Sequence, residues 1–205
     1  MQRGSPSRPT TRLVAAVLTC VVAAAGCSGG GGTSAGSFSF VSPGGKTEIT
    51  YDPPSSRGVI GVLAGPDLLD NSPLSVAGFP DQVVVLNLWG QWCGPCRAEA
   101  ASLERVATAT ASQGVQFLGI NVRDPQQDKA QDFVRDRGVT YPSIYDPPMR
   151  TLAALSASYP TSVIPSTIIL DRQHRVAAVF LRSLQDTDLQ PVVERIAAES
   201  PAAAS

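Results

Sequence analysis

The chain has 205 residues, with 16 basic and 17 acidic side chains and a formal net charge of −1. This nearly neutral balance, without a basic stripe along the sequence, argues against nucleic acid as a partner. The length is sufficient for one domain with its own hydrophobic core.

The N-terminus has the pattern of an export signal. Three arginines and no acidic residue accompany an apolar stretch at residues 13–25, which is too short to span a membrane. Residues 1–26 are therefore predicted to be a signal peptide. The sequence Ala24-Ala25-Gly26-Cys27 resembles a bacterial lipoprotein processing site, in which Cys27 is lipidated and becomes the mature N-terminus. The protein is then expected on the extracytoplasmic face of the cell membrane, bound to it by the lipid; without lipidation it is expected to be secreted.

The following residues divide into a tether and a folded domain. Residues 27–37 include four consecutive glycines and are predicted to be a flexible tether, and residues 38–200 are predicted to form the domain. Residues 38–41 and 47–51 alternate apolar with polar side chains around Pro43-Gly44-Gly45, which predicts a β-hairpin at a sheet edge. Residues 53–80 carry no clear pattern.

The centre of the domain begins at residues 83–88, which are almost entirely apolar and predict a buried parallel strand covered on both faces. A helix is predicted to follow, with Ala98, Leu103, Val106 and Ala107 toward the core and Gly114 beyond its end.

The remaining elements alternate between strand and helix patterns. Strands are predicted at residues 115–122, 141–145, 166–170 and 176–180, and helices at residues 128–138, 149–155 and 186–198. This order predicts an α/β fold with a mixed central sheet flanked by helices.

The most informative motif is Trp92-Cys93-Gly94-Pro95-Cys96, at the junction between the central strand and its helix. A Cys-x-x-Cys pair in this position is typical of a redox site. The unpaired N–H groups and the dipole of the helix start favour a thiolate, which predicts that Cys93 is the nucleophile. Pro95 is tolerated because a first-turn residue has no intrahelical N–H partner. Cys96 is then the resolving cysteine, which attacks the mixed disulfide formed by Cys93.

The other cysteines do not suggest a different use. Cys20 is removed with the signal and Cys27 takes the lipid, so Cys93 and Cys96 are the thiols expected in the domain. A structural zinc site needs four ligands, and His174 is the single histidine of the chain, so neither a metal nor a cofactor is expected.

These motifs resemble the thioredoxin superfamily. The resemblance rests on Trp-Cys-Gly-Pro-Cys after a hydrophobic strand and on Val163-Ile164-Pro165-Ser166-Thr167 at the opening of a later strand. It implies a thioredoxin-like fold in which Pro165 is cis and its loop faces the cysteines to hold the backbone of a partner. Partner contacts are implied for four further residues: Trp92, Gly94, Pro95 and Ile164.

Within the superfamily, the chain resembles the exported, membrane-attached ResA and TlpA type of thiol-disulfide oxidoreductase. Thioredoxin has a buried aspartate at the position of Asn87, whereas the sequence around the cysteines here is similar to that subfamily. Residues 124–146 fall where the subfamily inserts a helix and a strand.

Two carboxylates are candidates to accept the proton of Cys96, which must ionise before it attacks. Asp124 lies where the subfamily carries an active-site glutamate, and it is equally suited to be the N-cap of the helix predicted at 128–138. Glu99, one turn after Cys96, is the second candidate, although we expect it on a solvated helix face.

The sequence therefore predicts an extracytoplasmic thiol-disulfide oxidoreductase that cycles Cys93 and Cys96 between dithiol and disulfide. The resemblance implies a reductase of disulfides in exported proteins such as apocytochrome c, with electrons from a transmembrane thiol carrier of the CcdA or DsbD kind. A disulfide oxidase or isomerase for exported proteins is the alternative, and a non-catalytic binding lipoprotein with this fold is a further one.

Overall fold

The structure is a computed structural model that describes residues 1, 2, 4 and 36–199. The predicted signal peptide, most of the tether and Cys27 lie outside the described residues. In the described part, no helix has the length and apolarity needed to cross a membrane.

The described domain contains eight strands and three α-helices. In chain order they are β1 (Glu48–Thr50), β2 (Ala64–Pro66), β3 (Pro73–Ser75), β4 (Val83–Trp89), α1 (Gly94–Thr110), β5 (Val115–Asn121), α2 (Gln127–Arg137), β6 (Ser143–Tyr145), β7 (Ser166–Leu170), β8 (Val176–Phe180) and α3 (Asp186–Ala197). A 3-10 helix at Arg150–Ala154 occupies the position of the short helix predicted at 149–155.

Six strands form one mixed sheet in the order β1-β8-β7-β4-β5-β6. β4, β5 and β6 run parallel, while β7 is antiparallel to β4, and β8 and β1 extend the sheet in antiparallel pairs. This confirms the predicted α/β fold with a mixed sheet. The predicted helix and strand within residues 124–146 are α2 and β6.

Side chains of β4 alternate between the two faces of the sheet, as the period of a strand requires. Val83 and Val85 pack under α1 and α3, whereas Val84, Leu86 and Leu88 contribute to the opposite face. The hydrophobic core on this opposite face is covered by segments outside the α-helices, which include Phe38, Leu63 and Leu152. Both faces are therefore buried, which explains the continuous apolar run of β4.

The predicted N-terminal hairpin is wrong. The backbone of Phe38 pairs with Val59 (N to O, 2.7 Å), and β1 pairs with β8 in a register that aligns Ile49 with Val179. The Pro43–Gly45 segment is a single 3-10 turn, with Gly44 at φ 65°, and not a tight hairpin loop. Pairing with β8 covers an edge of the main sheet and buries Ile49, which a two-stranded hairpin would leave exposed.

The unpatterned residues 53–80 contain the small antiparallel pair β2–β3. This pair contacts the main sheet through a bridge from Asp67 to Ile144, in β6. Strands of three residues are too short to show a reliable alternation of apolar and polar side chains, so no pattern in the sequence predicts them.

Candidate active site

The two cysteines occupy the start of α1, directly after the loop that leaves β4. Cys93 is the N-cap residue of α1, and its Sγ accepts a hydrogen bond from the backbone N–H of Cys96 (3.2 Å). Cys93 and Cys96 form a disulfide with their Cα atoms 5.3 Å apart, and both residues are buried, at 4% and 3% exposure. The helix start thus directs backbone N–H groups at the sulfur that would carry a thiolate.

The loop before β7 lies against this pair. The Ile164–Pro165 peptide is cis, as the resemblance implied, and the carbonyl oxygen of Ile164 lies 3.8 Å from Cys93 Sγ. Pro165 is buried and Ile164 is half-buried. The structure therefore brings Cys93 and Cys96 together with Ile164 and Pro165. Cys93 and Ile164, which are in contact, lie 71 residues apart along the chain.

Glu99 is buried, and its expected place on a solvated helix face is wrong. It is 1% exposed, and its two carboxylate oxygens accept hydrogen bonds from the Asn87 amide and from the backbone N–H of Leu184, each at 3.0 Å. Burial raises the pKa of Glu99 to about 7, and the hydrogen bonds from Leu184 and Asn87 oppose this rise only in part. A carboxylate with this pKa can both accept and release a proton near neutral pH.

A small cavity lies beside the resolving cysteine. Its volume is about 10 Å³, and its lining includes Cys96, Trp89, Tyr141 and Asn87, the residue that donates to Glu99. A space of this size is close to the minimum for one water molecule. Asn87 and Cys96 therefore share one small space beside α1.

The burial of Glu99 follows from the rotational phase of α1. Ala98 is exposed, while Glu99 and Ala100 face inward with Leu103 and Val106. The prediction for Leu103 and Val106 is confirmed, but that for Ala98 is wrong by one position. The orientation of the first turn of α1 is set by the packing of the two cysteines against Trp89 of β4 and against Ile164. The apolar pattern further along the helix therefore does not predict which side chains of this turn face inward.

Asp124 supports the loop before the cysteines. It is 1% exposed, and its Oδ2 accepts hydrogen bonds from the backbone N–H of Gln91 (2.8 Å) and from the side-chain amide of Asn121 (2.6 Å). The N-cap of α2 is Gln126, so the alternative role of Asp124 as that cap is wrong. These contacts hold the position of Gln91, two residues before Cys93; a proton-accepting role for Asp124 stays a prediction.

The rim of the site is formed by exposed residues around Cys93. Gly94 and Pro95 are exposed at the surface, and Trp92 is 45% exposed with its indole N–H donating to the carbonyl of Val122 (3.1 Å). A Cβ atom added at Gly90 would overlap the Trp92 indole, so glycine there allows the ring to lie against the loop. Trp92 thus presents an aromatic face beside the cysteines.

Sequence reasoning missed the contribution of the loop between β8 and α3. Leu184 donates to Glu99, and the hydroxyl of Ser183 donates to the carbonyl of Pro95 (3.3 Å). These partners lie 85 and 88 residues from their acceptors, and a backbone N–H carries no side-chain signal in the sequence. Only the folded chain shows that this loop is part of the site.

The fold and the site together define a thioredoxin-like protein with a Cys-x-x-Cys pair at a helix start, which is the class of site that exchanges thiols and disulfides. A family model described as Redoxin matches residues 59–195. The chain belongs to this family, within the thioredoxin superfamily.

Similar proteins with described activities agree with this class. The thiol-disulfide oxidoreductase ResA of Geobacillus thermodenitrificans is 28% identical over 113 residues, which cover 55% of this chain and 62% of that relative. A solved structure of a DsbF homologue from Corynebacterium diphtheriae is 49% identical, with a TM-score of 0.73 over 78% of this chain and 99% of that one. A secreted thiol-disulfide isomerase from Corynebacterium glutamicum is 47% identical, with a TM-score of 0.76 over 80% of this chain and 99% of that one.

Proposed function

We propose that this protein reduces disulfides in exported proteins through a dithiol cycle of Cys93 and Cys96. The observation that carries the proposal is the cysteine pair at the start of α1, with Cys93 facing the Ile164–Pro165 loop. In the cycle, the Cys93 thiolate attacks one sulfur of the client disulfide and releases the other sulfur as a thiolate. Cys96 then attacks Cys93 in the mixed disulfide, which releases the reduced client and leaves Cys93 and Cys96 oxidised.

The residues around the pair have distinct tasks in this cycle. The N–H of Cys96 and the start of α1 stabilise the Cys93 thiolate, because both place positive charge at the sulfur. Glu99, which lies one turn after Cys96 on α1 and is held by the Asn87 amide, accepts the proton of Cys96, since its raised pKa makes it a base near neutral pH. The backbone beside Pro165 holds the client chain next to Cys93.

The client and the electron donor follow from the resemblance to ResA and TlpA. The proposed clients are exported proteins such as apocytochrome c, and the proposed donor is a transmembrane thiol carrier of the CcdA or DsbD kind. Lipidated Cys27 would hold the domain at the extracytoplasmic face, where both are accessible; the unlipidated form would be secreted.

A disulfide isomerase or oxidase is the second candidate. The relative from Corynebacterium glutamicum favours it, because that protein is described as a secreted thiol-disulfide isomerase and shares 47% identity with this chain. The Gly94-Pro95 dipeptide favours reduction, since it is the pair found in reducing thioredoxins. The two candidates share the chemistry of the site and differ in its reduction potential.

The deciding experiment is the reduction potential of the Cys93–Cys96 pair, measured by equilibration with glutathione and dithiothreitol buffers. A value near that of thioredoxin, roughly −270 mV, supports the reductase, whereas a value near roughly −180 mV assigns the isomerase and one near roughly −120 mV the oxidase. The Cys93→Ser variant is the control, because it must lose the redox-dependent signal. Absence of any exchange with disulfide substrates would leave the non-catalytic binding lipoprotein.

A further inference from the structure

A polar groove opens between α1 and α2, beside the loop that leads into Cys93. It has a volume of about 380 Å³, and we call it the α1–α2 groove; its lining includes Gln91, Arg97, Lys129, Phe133, Asp136 and Arg137. Gln91 lies two residues before Cys93, and the backbone N–H of Arg97 donates to the carbonyl of Cys93 (3.1 Å). The groove therefore opens beside the loop and the first turn that hold Cys93, and the cysteines themselves lie outside its lining.

The charge of the α1–α2 groove differs from that of the chain. Its lining carries three cations and two carboxylates, whereas the whole chain has a net charge of −1. The two carboxylates, Asp132 and Asp136, offset two of the three cations, which leaves the lining a formal net charge of +1. The groove is thus locally cationic next to the cysteines.

Two of the cations lie over an aromatic floor. The guanidinium carbons of Arg97 and Arg137 are 5.9 and 6.0 Å from the centroid of the Phe133 ring. A guanidinium that stacks on a ring presents the N–H donors at its edge to a carboxylate, and of the Arg97 donors Nη1 also contacts the carbonyl of Gln91 (3.4 Å). Phe133 itself stacks on Trp89 at 5.0 Å, so this floor is anchored to the end of β4.

We propose that the α1–α2 groove binds an acidic side chain of the client polypeptide, close in sequence to the client cysteine, and so selects acidic clients. The inference rests on the proposed function, because it requires a polypeptide disulfide as substrate. An extended client chain advances about 3.3 Å per residue, so a residue two or three positions from the cysteine is roughly 7–10 Å from it. Arg97 and Arg137 would pair with its carboxylate, and Lys129 would add a third donor.

The test compares three peptides, each with one internal disulfide, that differ only in two residues next to the attacked cysteine: Glu-Glu, Gln-Gln or Lys-Lys. The reduced full chain is mixed with each peptide, and the second-order rate constant is followed by tryptophan fluorescence. Since exposed ion pairs each contribute up to about 1 kcal/mol, the Glu-Glu peptide is expected to react faster than the Gln-Gln peptide, by up to roughly 5-fold for each ion pair formed. In 1 M salt the Debye length falls to about 3 Å, and this ratio should approach one.

A pair of double variants locates the effect. Lys129→Gln with Arg137→Gln removes two exposed cations of the groove and should bring the ratio close to one. Arg105→Gln with Arg195→Gln removes the same charge from exposed positions outside the groove and should keep the ratio.

Other results would overturn the inference in distinguishable ways. Equal rates for the three peptides, or a preference for Lys-Lys, would refute the groove while leaving the oxidoreductase intact. A ratio lost in both double variants would assign the preference to the overall charge of the protein. Failure of all three peptides to react would refute the proposed function together with the inference built on it.

Discussion

Replacing Glu99 by Gln keeps the size of the side chain and removes its ability to ionise. In the folded protein, burial raises the pKa of Glu99 to about 7 from the ordinary value of 4.5. Between these two pH values, the folded state binds more protons than the unfolded state, so stability falls as pH rises. The loss begins near pH 4.5 and is complete just above pH 7.

The size of this loss follows from the two pKa values. At about 1.36 kcal/mol for each pKa unit, the difference between about 7 and 4.5 corresponds to roughly 3 kcal/mol of unfolding free energy. The Glu99→Gln variant has no such loss, because Gln remains neutral. The difference in unfolding free energy, Glu99→Gln minus the unmodified protein, should therefore increase by roughly 3 kcal/mol between pH 4.5 and pH 8.

The assay is urea unfolding of the oxidised protein and of Glu99→Gln at several pH values, followed by tryptophan fluorescence. Both tryptophans of the chain, Trp89 and Trp92, lie beside the cysteines, so their emission reports on this region. Glu194→Gln is a matched control, since Glu194 lies partly exposed on α3, and it should leave the profile unchanged.

The same variant tests the role of Glu99 in the reaction. If Glu99 accepts the proton of Cys96, resolution of the mixed disulfide accelerates as pH rises through about 7, because only the ionised carboxylate is a base. Glu99→Gln should lose this inflection and slow resolution at pH 7 by roughly 100-fold or more. Persistence of the inflection in Glu99→Gln, or a stability difference that does not change with pH, would refute the reasoning.

Three further changes test other parts of the structure. Asn87→Asp places a second carboxylate about 3.0 Å from Glu99, so like-charge repulsion should move the inflection in the rate of resolution to higher pH, which a pH–rate profile measures. Gly90→Ala forces the Trp92 indole to move and should cost about 1–3 kcal/mol in urea unfolding, with an altered emission maximum; unchanged emission would contradict the contact. Arg57→Gln breaks a buried ion-pair cluster and should lower the free energy of unfolding by about 3–5 kcal/mol. The reduction potential should stay the same, because the cluster lies at the end of β7 that is remote from the cysteines.

The prediction for Arg57 depends on where its partners lie. Its guanidinium bonds to Asp52, Asp171 and Glu199, which joins the N-terminal segment to the turn after β7 and to the end of α3. Asp171 follows the C-terminal end of β7, whereas Pro165 precedes its start. A change of potential in Arg57→Gln would show that the two ends of the sheet are coupled.

Features that depend on local pattern could be predicted from the amino-acid sequence. The apolar run of β4, the Cys-Gly-Pro-Cys start of α1 and the strand and helix order after residue 83 are encoded in consecutive residues, because strand and helix periods and first-turn chemistry are local properties. The cysteine pair could be assigned its chemistry for the same reason, and Pro165 was found through its resemblance to a known motif.

Which distant groups meet is visible only in the folded chain. The partner of β1, the burial of Glu99 and the contacts of Asp124 depend on pairings between segments far apart in the chain, such as Glu99 with Leu184 and Asp124 with Gln91. Such pairings are selected by the total area buried and by the satisfaction of backbone groups, and neither quantity can be read from a local window. The environment that raises the pKa of Glu99 therefore exists only once the chain has folded.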